Sequence, residues 1–268
     1  MPPDKQPPAD VLIIDAHCHL GPFRNFHIPE PDIDGIVTVF DRLGIDVGVF
    51  AAHSGISSDY RLGNDEVRQA AERHPGRVHG YCCVNPNYPD DVQAELERCF
   101  ADPRFRGIKL HPELHDDYPL EGPGYARVWD FAQRWRVPVL VHSYFGGDSL
   151  PTFEAIANRL ESAPLLLGHG GLDLGVARVI ELVHRMPNVY LDLTGPASWD
   201  GLVEFLVAEV GASRLLFGSD VPFVDAALQL GGCAYARITD ADRRRILGEN
   251  AAALFGISGP EVAPRRSG

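Results

Sequence analysis

Eight short, strongly apolar runs recur along the chain, and amphipathic stretches with helical periodicity separate them. The runs are VLIID from Val11, VGVFAA from Val47, RVHGYCCV from Arg77, RGIKLH from Arg106, VPVLVH from Val137, PLLLGH from Pro164, NVYLDL from Asn188 and RLLFGSD from Arg214. Between them, DEVRQAAERH, DDVQAELERCF, YARVWDFAQRW, PTFEAIANRL and VARVIELVHRM repeat apolar residues every three or four positions. Start-to-start spacing is roughly 25 to 35 residues, the length of one βα unit. Strands this apolar belong where both faces are covered, as in parallel sheets. Eight consecutive units of similar length predict an α/β fold, a single-domain (β/α)8 TIM barrel, over an open doubly wound sheet. The predicted barrel takes residues 11–258, leaving an arm at 1–10 and a polar tail at 259–268, both expected to be flexible.

Composition narrows the partners. Asp and Glu number 37 against 24 Lys and Arg, a formal net charge of −13, with no basic stripe to neutralise phosphates along a nucleic acid. A small-molecule partner is expected, with no nucleic acid and no membrane, since no run approaches a membrane span. Association as a homodimer stays open. Five cysteines, irregularly spaced and without a C-x-x-C pair, fit a reducing compartment. With no apolar core in MPPDKQPPAD, the chain reads as cytoplasmic. A chain of this length can close a core without a disulfide or a metal, so any metal site is expected to be chemical.

In barrels of this kind chemistry sits at the C-terminal ends of the strands. The first strand ends in DAHCH, the fourth in KLHP, the fifth in VH, the sixth in GH and the eighth in GSD. His17 and His19 are one residue apart, so on a strand they point to the same side. If that side is the lumen, two neutral imidazoles can share one metal at about 2.0–2.1 Å each, with at least one further protein ligand. His142 and Asp220 are the natural candidates for it. A lone strand-end histidine is more often a satisfied core residue; five strand ends carrying ligand-type side chains favour the metal. On the fourth strand Lys109 lies one layer below His111, where a lysine is costly unless paired. Asp15, one layer below His17 by the same alternation, is the expected partner.

Taken in order, IIDAHCH, GIKLHP, VLVHS, LLLGHGG, LLFGSDVPF and ILGENAAALFGI resemble the metal-dependent hydrolase barrels of the amidohydrolase superfamily. The resemblance runs from about Val11 to Ile257 and looks closest to the branch containing aminocarboxymuconate-semialdehyde decarboxylase and resorcylate-type decarboxylases. It implies that His17, His19, His142 and Asp220 ligate one divalent metal, usually Zn2+ and sometimes Mn2+ or Fe2+, with His169 beside a bound water. A divalent cation lowers the pKa of such a water toward 7 and polarises a carbonyl oxygen. Asp220 would hold the water, collect its proton and return it to the leaving group, while His169 orients the water or shuttles a proton. The resemblance also opens a second reading of Lys109, carboxylated and bridging a second metal with His169 as a further ligand.

His111 is expected to contact substrate or serve as an occasional ligand, with Pro112 forcing the chain out of the strand. His53 either joins the pocket or only caps the second strand. Tyr144, Asp116 and Asp117, in long or glycine-rich loops, are candidate substrate contacts. His74, His79, His115 and His184 read as solvated or packing residues, and Trp129 and Trp135 as a helix-to-barrel packing stripe.

The leading expectation is a metal-dependent hydrolase whose metal-bound water cleaves an amide, lactone or ester bond of a small molecule. The alternative is a non-oxidative metal-dependent decarboxylase of a small carboxylic acid. A TatD-like nuclease ranks lower, because it would show a glutamate at the fourth strand, where Lys109 and His111 stand. A barrel that binds metal without turnover would show a degraded ligand set, and no ligand position is missing. The sequence holds no G-x-S-x-G elbow, no G-x-x-x-x-G-K-[ST] loop and no strand-to-helix G-x-G-x-x-G, so serine hydrolysis and nucleotide cofactors are not indicated.

Overall fold

The structure, a computed structural model, describes residues 11–24, 26–143 and 149–257; the predicted arm and tail, and Tyr144, lie outside them. Eight parallel strands pair in sequence order: β1 Ile14–Leu20, β2 Val47–Ala52, β3 Val78–Cys83, β4 Phe105–Leu110, β5 Val139–Val141, β6 Leu165–Leu167, β7 Val189–Asp192 and β8 Leu215–Leu216. The short β8 returns to β1 through three backbone bonds. Ala16 N donates to Phe217 O at 2.9 Å, Asp220 N to His17 O at 2.8 Å and His19 N to Val221 O at 2.7 Å. The sheet curls into the expected barrel, ringed by helices.

Two apolar layers follow from the period of two along each strand. Ile14, Ala16, Val47, Val49, Ala51, Tyr81, Cys83, Leu140, Leu166 and Leu216 fill the lumen. Helix Asn250–Phe255 closes its floor, with Phe255 edge-on to Tyr81 at 5.7 Å. The buried Tyr81 hydroxyl donates across the lumen to Ala16 O at 2.6 Å, so it is not left unsatisfied. The alternate residues, among them Phe50, Ile108, Val141 and Leu191, face the helices.

The helices carry ordinary start and stop signals. Asp32 accepts from Asp34 N and Gly35 N at the head of helix Ile33–Leu43, which ends at Gly44 with φ 74°. Helix Ala126–Trp135 buries Trp129 but leaves Trp135 60% exposed, against the expected packing stripe. Six residues at 3.6 per turn carry Trp135 round to the other face, where the Arg134 guanidinium lies 5.0 Å from its ring. All five cysteines are buried free thiols. Among the described residues no helix is long and apolar enough to cross a membrane.

One irregularity positions the site. Pairing between β1 and β2 moves from Asp15↔Gly48 to Cys18↔Phe50, so three steps on β1 answer two on β2. This bulge exchanges the two sides of the strand. Below it Ile14 and Ala16 face the lumen; above it His17 and His19 do. The expected Asp15–Lys109 pair therefore does not form, because Asp15 falls on the opposite side from His17. Its carboxylate accepts from His17 N at 3.1 Å and Ser219 N at 3.0 Å, tying β1 to the segment after β8. Burial pushes the Asp15 pKa up to about 7. Lys109 Nζ lies instead 2.8 Å from His17 Nε2.

Candidate functional site

The lumen rows continue upward into polar residues. Above Ala51 comes His53, above Leu140 His142, above Tyr190 Asp192, and above Leu216 first Gly218 and then Asp220. On β1 and β4 the inward positions at the mouth are His17 and His19, and Lys109 and His111. His17, His19, His53, Lys109 and His111 are all buried.

Three acceptor groups converge at this level. The Nε2 atoms of His17 and His19 are 3.3 Å apart, and Asp220 Oδ1 lies 3.7 Å from the first and 3.2 Å from the second. His19 Nδ1 sits 2.9 Å from Ala51 O, which can only accept, so Nδ1 carries the hydrogen and Nε2 presents its lone pair. His17 Nδ1 donates to Asp192 Oδ2 at 2.5 Å and leaves its own Nε2 in the same state. Lys109 Nζ meets one of these lone pairs, on His17 Nε2, yet two imidazole nitrogens and a carboxylate oxygen converging on one point are still the donor types and spacing that fit a divalent metal.

The electrostatics agree. Burial, then the Lys109 charge, holds the His17 pKa well below the usual imidazole value. Burial opposes ionisation of Asp220 but is outweighed by its contacts with His19, His17 and His169, so its pKa falls below the usual carboxylate range. Burial lowers Lys109 to about 8, partly offset by Asp220 and Asp192.

His142 does not stand in that triad. It groups with His111 and Glu113, whose ligand-type atoms lie within 4.8 Å of one another. The His111 and His142 rings stack at 3.8 Å, and Glu113 Oε2 is 3.8 Å from His142 Nε2. His169 joins the two groups: its Nε2 is 3.2 Å from His142 Nδ1, and its ring is 5.1 Å from that of His17. Of the four expected ligands, three come together and the fourth sits one imidazole away. His53 joins the pocket, stacking on His19 at 4.9 Å while its Nδ1 donates to Gly21 O at 2.7 Å.

His169 and Asp220 share a backbone feature. His169 has φ 57°, within a run that continues through Gly170 and Gly171, and Asp220 has φ 65°. A side chain in the left-handed region costs about 1–2 kcal/mol, and such strain gathers where a site over-determines the backbone. For His169 the twist brings an off-row residue to the site, since Gly168 occupies the inward place above Leu166.

Other residues fall as follows. Asp116 and Asp117 are exposed beyond the turn Pro112–His115. His74 Nε2 pairs with Asp34 at 2.7 Å and His184 Nε2 donates to Glu209 O at 2.8 Å, as packing residues do. Sequence reasoning missed Asp192, Glu113 and an aromatic wall. NVYLDL ends its strand in an aspartate like the eighth, which was signal enough for Asp192. The wall joins loop residues distant in sequence: Phe23 lies 5.0 Å from His53 and 5.7 Å from Phe223, and Phe26 lies 5.1 Å from Phe223. Phe26 is 57% and Phe223 41% exposed, so the wall opens to solvent.

The sequence model of the amidohydrolase family matches residues 14–257. A gamma-resorcylate decarboxylase from Polaromonas sp. strain JS666 is 24% identical, over 74% of this chain and 76% of its own. An amidohydrolase from Burkholderia multivorans with bound zinc superposes with a TM-score of 0.71 at 18% identity, over 92% of this chain and 100% of that one. A 5-carboxyvanillate decarboxylase from Novosphingobium aromaticivorans, complexed with manganese and 4-hydroxy-3-methoxy-5-nitrobenzoic acid, superposes with a TM-score of 0.70 at 16% identity, over 93% and 97%.

Proposed function

The chain belongs to the amidohydrolase family, and from that premise we propose that it is a metal-dependent, non-oxidative decarboxylase of a small hydroxyaryl carboxylic acid. The sequence alone put hydrolysis first and decarboxylation second; the order is now reversed. The observation that carries this is the aromatic wall of Phe23, Phe26 and Phe223, which meets His53 where that ring stacks on His19 of the three converging acceptor groups. Such a wall suits a flat ring, since aromatic pairs gain about 0.5–1.5 kcal/mol beyond burial. The likeness to gamma-resorcylate decarboxylase supports the same reading.

The reaction replaces a carboxylate on a ring carbon by a proton. The carbon–carbon bond breaks, its electron pair stays on the ring carbon that the proton joins, and carbon dioxide leaves. A ring hydroxyl feeds electrons to that carbon, which is why a hydroxyaryl acid is named. His17, His19 and Asp220 would hold the divalent cation, with zinc and manganese the ions to load. When bound, it supplies Lewis-acid polarisation of substrate oxygens.

The rest falls to the chain's own groups. Lys109, buried beside His17, offsets the negative charge of an entering carboxylate. Asp220, facing the pocket beside both imidazoles, is the group placed to carry the proton to the ring carbon. His169, against His142, is placed to reload it. Phe23 and Phe223 put apolar surface beside a bound ring, which disfavours its charged carboxylate more than neutral carbon dioxide.

The test is carbon dioxide release from 2,6-dihydroxybenzoate and related hydroxybenzoates by zinc- or manganese-loaded protein, run beside a panel of lactones, esters and amides. Release matched mole for mole by loss of the acid is expected. Hydrolysis of the panel without carbon dioxide would return the hydrolase to first place.

A further inference from the structure

We propose that Asp192 is a positioning residue for the candidate metal centre, fixing the His17 imidazole in its ligating tautomer and tying the left-handed His169 turn to it. The proposal rests on the metal-dependent reading but not on which reaction follows. Asp192 ends β7 with no solvent exposure. Its Oδ2 accepts from His17 Nδ1 at 2.5 Å and from His169 N at 3.3 Å. Its Oδ1 accepts from Thr194 N at 2.9 Å and Thr194 Oγ1 at 2.7 Å. Both oxygens are thus engaged away from the acceptor triad, and the carboxylate works through His17 rather than beside it.

The space for this arrangement is kept open by a glycine. A Cβ on Gly218, the facing position beyond β8, would collide with Asp192 Oδ1 and Thr194 Oγ1 and lie 2.8 Å from His17 Cβ. The two imidazoles of the H-x-H pair are therefore held differently. Ala51 O, a neutral acceptor, orients His19, whereas a buried carboxylate orients His17 and makes its Nε2 the more basic donor to a metal. The same oxygen reaches the His169 backbone, so one group sets both a ligand and the turn that presents the proton-handling imidazole.

The experiment is a chelator-competition measurement of the Zn2+ and Mn2+ dissociation constants, which needs no substrate. Asp192→Asn keeps the side-chain shape and removes the charge; metal affinity is expected to fall about 10- to 100-fold in a protein that still folds, with a lowered metal-free thermal midpoint because the new amide nitrogen meets donors. Gly218→Ala, which removes no polar group, should weaken binding in the same direction. Should Asp192→Asn fail to fold, Thr194→Val, which keeps the carboxylate and deletes one of its hydrogen bonds, is expected to weaken metal about threefold. Affinity within twofold of the parent in a folded Asp192→Asn, or failing that in Thr194→Val, would overturn the proposal. Tight metal binding that depends on Asp192, in a protein that releases no carbon dioxide, would leave this inference standing and remove the decarboxylase instead.

Discussion

At the floor of the barrel the inward rows carry Ile14, Val47, Tyr81, Leu140, Leu166 and Leu216, closed off by Phe255. A few residues further along the same rows stand His53, Lys109, His142, Asp192 and Asp220. The floor is held by burial, which has no direction and tolerates small shifts. The mouth is held by bonds that each need a named partner: His17 to Asp192, His19 to Ala51, His53 to Gly21, Asp15 to Ser219. The left-handed residues His169 and Asp220 are at the mouth, while Tyr81 satisfies its one hydroxyl inside the floor. One end of the barrel stabilises the fold and the other draws on that stability to keep strained, desolvated groups in place.

Three changes would break or sharpen this division. Asp220→Asn removes the proposed proton carrier at the mouth; turnover should fall about 10²–10⁴-fold, with a smaller loss of bound metal, read by carbon dioxide release beside metal analysis. Full activity in that variant would take Asp220 out of the chemistry. Phe255→Ala empties the floor and should cost about 3–5 kcal/mol in urea unfolding, with turnover per folded molecule unchanged. If turnover fell in step, floor and mouth would be one unit rather than two.

The smallest effect concerns acid. His115, in the turn above β4, is buried, and burial pushes its pKa down to about 4 from 6.5. The folded state resists the proton that the unfolded chain accepts, so stability is full above pH 6.5 and is lost as pH falls toward 4. At pH 4.5 the loss reaches about 2.5 kcal/mol. His115→Leu should lose correspondingly less stability between pH 7.5 and 4.5 by urea midpoint. An equal acid loss in that variant would clear the mouth turn of responsibility.

The barrel was legible because continuous apolar runs and helical stretches alternate without interruption, and a strand such as VGVFAA must be covered on both faces. The histidines and aspartates at strand ends were legible for the same reason. What stayed hidden depends on backbone irregularity. The bulge between Asp15 and Cys18 has no residue signature in DAHCH, yet it decides that His17 faces Lys109 and Asp15 does not. The left-handed turn at His169 could be suspected from GHGG, but not where its ring would lie. Grouping His142 with His111 and Glu113 instead of with His17 is a matter of a few ångströms between strand ends, below what spacing along a chain can resolve. Trp135 was misplaced by carrying a packing stripe one turn too far.

The five buried thiols give the molecule an internal clock. Cys18 and Cys233 are held at high pKa mainly by burial, as are Cys82, facing the helices, and Cys83, in the lumen. A thiol that is both protonated and covered reacts with a disulfide reagent only while its surroundings are open. The labelling rate of each cysteine thus times the opening of its own sector of the ring, in a protein that carries its probes in its natural sequence.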